Sequence, residues 1–283
     1  FTGVVVVCGA ARWGVAGERG PPLHPGGDVP AQIRIGAGGQ GANLAIRLAR
    51  RGIAVELLCA LGDDPAASLV IAALRAEGVR VSATRVSATG SVVILVDEAG
   101  ERTMLSDRAS FVAGAVIPAA DWIVVSGYCF LEADAARLAG AVAGQVARRV
   151  VVGCAVPDRS RAAWRAAVIA ARPDLLILNR EEASDQEPLA QLSAAIVVTA
   201  TDGVMASIGD DVIRVRVPDG SPATDTTGAG DAFAAGLVAG LLRVPWPPPG
   251  AALESAMTDA AVLARQVART HGAQARVAAE AIA

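Results

Sequence analysis

The chain contains no lysine, and all 25 of its basic residues are arginine. Two chemistries are thereby excluded, because a P-loop needs a lysine to reach the nucleotide phosphates and a Schiff-base enzyme needs an amine. Histidine is nearly as scarce. His24 and His271 are too few and too far apart in sequence for a zinc site or a histidine-based triad. The four cysteines, Cys8, Cys59, Cys129 and Cys154, form no CxxC pair and lie among apolar neighbours, so they are expected as reduced core residues. Aromatic residues reach only 3%, which argues against an aromatic-rich binding surface. No GxSxG elbow occurs, and no run approaches the ~18 uncharged apolar residues of a membrane span. The N-terminal FTGVVVVCGA lacks the basic flank of a signal peptide, so a cytoplasmic protein is expected. A net charge of -3 with scattered arginines makes neither nucleic acid nor a membrane an expected partner.

What is present is a 283-residue chain, 53% hydrophobic and rich in alanine and valine, enough for one large core or a core with a small appendage. Val4 to Val7 reads as a fully buried parallel strand lying centrally in a sheet. Residues 11–37 dissolve into Gly, Pro and short alternating pieces, and Val92–Val96, the turn Asp97–Gly100 and Arg102–Leu105 read as a hairpin. These two pieces are expected to pair as a small sheet beside the main one. Strands at Val55–Ala60, Ile123–Ser126, Val150–Val156, Leu175–Leu178 and Ile196–Thr199 alternate with helices at Pro65–Glu77, about Glu132–Arg148 and Arg161–Ala171. Such alternation implies a parallel sheet covered on both faces. Met205–Val217 reads as two antiparallel strands turning at Gly209, and Ala251–Ala268 as a long alanine-rich helix.

Two stretches carry chemistry. In DTTGAGDAFAAGLV, Asp225 to Val238, a polar glycine-rich turn runs directly into an apolar helix. Gly228 and Gly230 free the backbone so that the amides of Gly228, Ala229 and Gly230 can point one way, and the helix dipole adds positive potential there. Asp231 at that mouth suits a proton acceptor; the plainer reading is a helix cap. In GAGGQGANLAIRLARRG, Gly38, Gly39 and Gly41 precede an amphipathic helix stopped at Gly52. The preceding segment reads as a lid strand, so the dinucleotide fingerprint is not met.

The first stretch resembles the C-terminal signature of the ribokinase (PfkB) family of carbohydrate kinases, and the second resembles that family's N-terminal GGxGxN signature. The resemblance covers the whole chain. It implies a ribokinase-like three-layer α/β/α fold with a mostly parallel central sheet, one domain over 1–283, and a small β-sheet lid from about 12–37 and 86–110. It further implies ATP-dependent phosphorylation of a hydroxyl on a sugar or sugar-like molecule, with Asp231 as general base and Gly228, Ala229 and Gly230 as anion hole. Substrate hydroxyls would meet Gly38, Gly39 and Asn43, with Arg108 adding a contact. The nucleotide would meet Asn179, Thr199, Gly203, Thr226, Gly228, Gly230 and Gly272. Mg²⁺ would be arranged by Asn179 and Glu182 of the NREE string, and Asp225 would serve K⁺ in members that use it. A homodimer through the lid is expected by analogy.

Two departures bear on substrate. Arg12 and Gly14 replace the Asn-x-Asp that many members carry after the first strand, and Thr201 stands where a glycine is expected in the nucleotide turn. Ribose is therefore not the expected substrate. Arg12 and Arg108 would suit an acidic sugar, and Asp28 or Asp107 would supply missing hydroxyl contacts. A nucleoside kinase, with Trp13 beside the base, is the alternative within the class. A sugar- or nucleotide-binding regulator with weak turnover is the alternative outside it.

Overall fold

The computed structural model describes residues 3–18, 26–28, 30–96, 102–107, 116–217, 223 and 225–280. In chain order its elements are β1 (Val4–Cys8), β2 (Arg12–Glu18), β3 (Gln32–Gly38), α1 (Gln40–Ala49), β4 (Ala54–Leu61), α2 (Pro65–Ala76), β5 (Arg80–Arg85), β6 (Ser91–Val96) and β7 (Arg102–Asp107). There follow β8 (Trp122–Ser126), α3 (Ala135–Ala143), β9 (Arg148–Val152), α4 (Arg161–Ala171), β10 (Leu175–Asn179), α5 (Arg180–Asp185), β11 (Ala195–Ala200), β12 (Gly203–Ile208), β13 (Asp211–Arg216), α6 (Ala229–Leu241) and α7 (Gly250–Ala268). Among the described residues no helix is long and apolar enough to cross a membrane.

The larger sheet runs β13-β12-β11-β10-β9-β8-β1-β4-β5, parallel except where β12 and β13 join antiparallel. Alternation along β1 explains the layering. Val5 and Val7 face the core shared with α1, α2, α6 and α7, while Val6 and Cys8 face that of α3 and α4. All four are fully buried, and each buried valine contributes about 1.5–3 kcal/mol. A three-layer α/β/α arrangement results, as the sequence implies. β1 is interior, between β8 and β4, though nearer one edge than the centre. The four cysteines are buried, and burial pushes the Cys8 and Cys59 thiols up to about 12, so they behave as core residues.

The second sheet runs β3-β2-β6-β7. It joins the two lid pieces expected from sequence, with β2 and β6 parallel and the β6–β7 hairpin antiparallel. The hairpin turn expected at Asp97–Gly100 lies outside the described residues. One helix is shorter than its pattern suggests. The expected span Glu132–Arg148 follows a 3-10 turn, Gly127–Leu131, and is α-helical only over Ala135–Ala143. Gly144 caps it, and Arg148–Val152 leaves to pair with β8 and β10. Sheet pairing outweighs helix propensity there.

Two features position the site. The parallel strands β1, β8, β9 and β10 end at one rim, followed by Gly9, Gly127, Gly153 and the helix cap Asn179, the rim at which ligands meet open α/β sheets. Helix α6 is also set close against α7. Gly236 and Gly240 face Ala260 and Ala256, and a Cβ added at Gly240 would lie 2.9 Å from the Ala256 Cβ.

Candidate active site

Helix α1 begins at the rim because glycine lets it. Gly39 is its N-cap at φ 96°, and a Cβ there would fall 2.5 Å from the Ala10 carbonyl oxygen. Gly41 lies against Gly9, where a Cβ would meet Gly9 backbone at 2.5 Å. The glycine motif therefore packs α1 onto the end of β1, while Gly38 has open space beside it. Asn43, one turn in, is buried. Its Nδ2 donates to Asp231 Oδ2 at 2.7 Å, and its Oδ1 accepts from Gln274 Nε2 at 3.0 Å. Asn43, expected at the substrate hydroxyls, uses one amide proton on Asp231 and one oxygen lone pair on Gln274.

Helix α6 starts at Ala229 with Gly228 as N-cap, left-handed at φ 77° and without a side-chain cap. Asp231 therefore lies in the first turn and is not the cap. Of the three amides expected as an anion hole, that of Ala229 donates to the Thr226 carbonyl at 3.2 Å. Asp225 braces the turn: its carboxylate accepts from the Thr227 amide and hydroxyl and from the Gly272 amide at 2.8 Å.

Burial pushes Asp231 up to about 6, against the Asn43 hydrogen bond, the Arg47 charge and a Gln40 hydrogen bond that pull it down. Glu182 is raised as well, by burial first and then by the charges of Asp231 and Glu181. Two carboxylates thus sense one another across the site. Asn179 and Glu182 form a capping box at the start of α5, with Asn179 Oδ1 accepting from the Glu182 amide at 2.8 Å and Glu182 Oε2 accepting from the Asn179 amide at 2.9 Å.

A cleft of about 540 Å³ opens beside these groups. Its polar lining includes Asn179, Glu181, Thr199, Thr226 and the Ala229–Gly230 turn, and its apolar lining includes Val204, Val217, Phe233, Ala261 and Ala264. That size and mixture suit a nucleotide. The structure thus gathers Asn179, Thr199, Thr226, Ala229 and Gly230 on one cleft. It places Gly203 elsewhere, in a groove with Asp202, Met205 and Arg214, because Gly203 opens β12 opposite Arg216. Gly272 acts through Asp225. Arg108 lies outside the described residues. Trp13, expected beside a nucleobase, packs against the main core; strand alternation puts it on the face opposite Gly14.

A divalent cation fits this donor set. The capping box uses Oε2 of the half-buried Glu182, and Asp231 is its neighbour in charge. No group of three or more His, Cys, Asp or Glu able to hold a metal occurs among the described residues, so phosphates and water would complete the shell, as magnesium prefers. A monovalent cation fits less well, since protein donors occupy both Asp225 oxygens.

Gln274 and Arg47, both in this network, are not among the residues expected at the site; Arg47 carries a signal in its spacing four residues after Asn43 on a helix face that turns inward, and Gln274 carries none.

Comparison with known proteins gives a consistent picture. The pfkB family carbohydrate kinase profile matches residues 21–280. The chain is 28% identical over 253 residues to an ATP-dependent ribose-1-phosphate kinase of Halopiger xanaduensis, covering 83% of each. Its fold is similar to that of a ribokinase from Thermotoga maritima (TM-score 0.78, 19% identity, 96% of this chain and 94% of that one). It is equally similar to an adenosine kinase from Sinorhizobium meliloti (TM-score 0.77, 20% identity, 99% and 98%).

Proposed function

The chain belongs to the pfkB family of carbohydrate kinases and is an ATP-dependent kinase, and on that premise we propose that Asp231 is its general base. The observation that carries this reading is the position of Asp231. It stands in the first turn of α6, between a cleft of nucleotide size and the glycine-bounded start of α1, with a carboxyl raised to about 6. A carboxylate so tuned is ionised at neutral pH yet more basic than an ordinary aspartate, which favours taking the proton of an attacking hydroxyl. Asn43 orients it.

In this mechanism the substrate lies over Gly38 and Gly39 with its hydroxyl toward Asp231, and ATP fills the cleft with its terminal phosphate at the α6 start. Amides of Gly228 and Gly230 and the helix dipole stabilise charge developing on the transferred phosphoryl group, while the Ala229 amide is held by the Thr226 carbonyl. Asn179 and Glu182 would hold Mg²⁺, which when bound neutralises phosphate charge. The small sheet serves as a lid, excluding water that would otherwise take the hydroxyl's place.

For the substrate, a sugar bearing an anionic group is the first reading. Arg12 pairs with Gly38 across β2 and β3 and lines a recess with Tyr128 and Glu132, and the Halopiger relative is named for ribose 1-phosphate. A nucleoside is the second. By register Gly14, Gly36, Val92 and Ile94 share the face of Arg12, a flat and partly apolar surface. ADP release with Mg-ATP across sugars, sugar phosphates and nucleosides decides between them. A phosphorylated product, located by NMR, names the acceptor hydroxyl. ATP and sugar binding without turnover of any compound would replace the enzyme by a binding protein.

A homodimer through the lid is also proposed. Val15, Ile33, Ile35, Val93 and Leu105 share the other lid face, and Ile33, Ile35 and Leu105 are each about 60% exposed.

A further inference from the structure

Helix α1 carries two arginines on its inward side. Arg47 and Arg50 follow Asn43 at i+4 and i+7, so the three side chains leave one face. Arg47 is fully buried, and a buried guanidinium is costly unless its donors are met. The chain's own tail meets those of both terminal nitrogens, while Nε stays buried without a partner. Arg47 Nη2 donates to the Ala273 carbonyl at 2.6 Å, and Nη1 donates to the Ala275 carbonyl at 2.9 Å and to the Glu280 carboxylate. Arg50 donates to the Gln274 carbonyl at 2.9 Å and makes a two-point contact with Glu77.

The tail segment gripped in this way is the one that reaches the site. Gln274 donates to Asn43, and Asn43 donates to Asp231. Ala273 lies against Gly228, where an added Cβ would come within 2.7 Å of the Ala273 Cβ. Two consecutive residues, Ala273 and Gln274, thus touch the turn in front of the proposed base and the partner of that base.

We propose that Arg47 and Glu280 are positioning residues for phosphoryl transfer: their buried ion pair fixes residues 273–275 and, through Gln274 and Asn43, sets the place of Asp231. The role requires no contact with substrate or nucleotide, and it rests on the reading of Asp231 as general base. If the pair only fastened the tail to α1, its loss would lower stability without lowering turnover per folded molecule.

A double-mutant cycle on the full chain separates the two. Arg47→Met, Gln274→Ala and their combination are compared with wild type for kcat, for KM of both substrates and for thermal unfolding, with Asp231→Asn as control. Arg47→Met is expected to lower kcat about tenfold, since small displacements of a reacting group are costly, with both KM values within about twofold. In the Gln274→Ala background it is expected to cost almost nothing further, because both act through one chain of contacts. Arg47→Lys should recover part of the loss. Losses that multiply in the double variant, or an unchanged kcat with a lower Tm, would overturn the proposal. Should Arg47→Met fail to fold, Glu280→Gln in the same two backgrounds gives the cycle with the side-chain shape retained. Turnover that Asp231→Asn leaves intact would count against the base itself, whereas multiplying losses beside a dead Asp231→Asn would count against the positioning role alone.

Discussion

Asp231 is held at a cost to the fold. Its carboxyl is raised by burial from 3.8 to about 6, so the ionised form is less stable folded than unfolded. That penalty is present in full above about 6. It is relieved as pH falls from there toward 3.8, where the folded protein takes up a proton that the unfolded chain does not. Asp231→Asn is therefore expected to melt a few degrees higher than wild type at pH 8, with the gap closing near pH 4, while kcat/KM of the wild type falls about tenfold per unit below about pH 6. Differential scanning fluorimetry and a pH–rate profile check both halves. An equal Tm for the two proteins at pH 8 would contradict the burial of this carboxylate.

The turn that introduces α6 combines a left-handed Gly228 with a close approach to Ala273. An alanine at 228 is strained by its φ and collides with Ala273 backbone, so Gly228→Ala is expected to cost about 10²-fold in kcat through a displaced Asp231. Steady-state kinetics beside a circular-dichroism melt tests this; activity within threefold of wild type would show that the turn tolerates movement. Much of this element scale was legible beforehand. Asp64 and Pro65 start α2 as read, with Asp64 accepting from the Ala67 amide, and Gly52 closes α1 at φ 72°. The glycines of the GAGGQG stretch were legible as a motif, whereas their packing against Gly9 was not, since it depends on a strand that is distant in sequence. The same limit hid the Asn43–Gln274 contact, which joins residues 231 apart in sequence. Local pattern cannot report the partner of a side chain whose partner comes from the other end of the chain. Gly203 differs again: its place in a turn predicts a nucleotide contact, while its pairing with Arg216 sets it on the lining of another groove.

At the scale of the molecule, a parallel sheet covered on both faces gathers the proposed catalytic contacts at one rim, and the small sheet is a separate sheet beside it. Its outer apolar face is the ground for the proposed dimer. Sedimentation at micromolar concentration is expected to give a dimer for wild type and a monomer for Ile35→Glu, because a carboxylate at the centre of an apolar contact has no partner. A wild type that stays monomeric throughout the concentration range would remove the lid-mediated assembly while leaving the catalytic site untouched.

The catalytic assignment is tested most directly by comparing Asp231→Asn with wild type in single-turnover phosphoryl transfer while ATP binding is measured by calorimetry. Loss of the transfer rate by about 10³-fold or more, with ATP affinity changed by less than about threefold, is expected if Asp231 takes the proton of the attacking hydroxyl. A transfer rate within tenfold of wild type would show that another group accepts that proton and that Asp231 serves the fold.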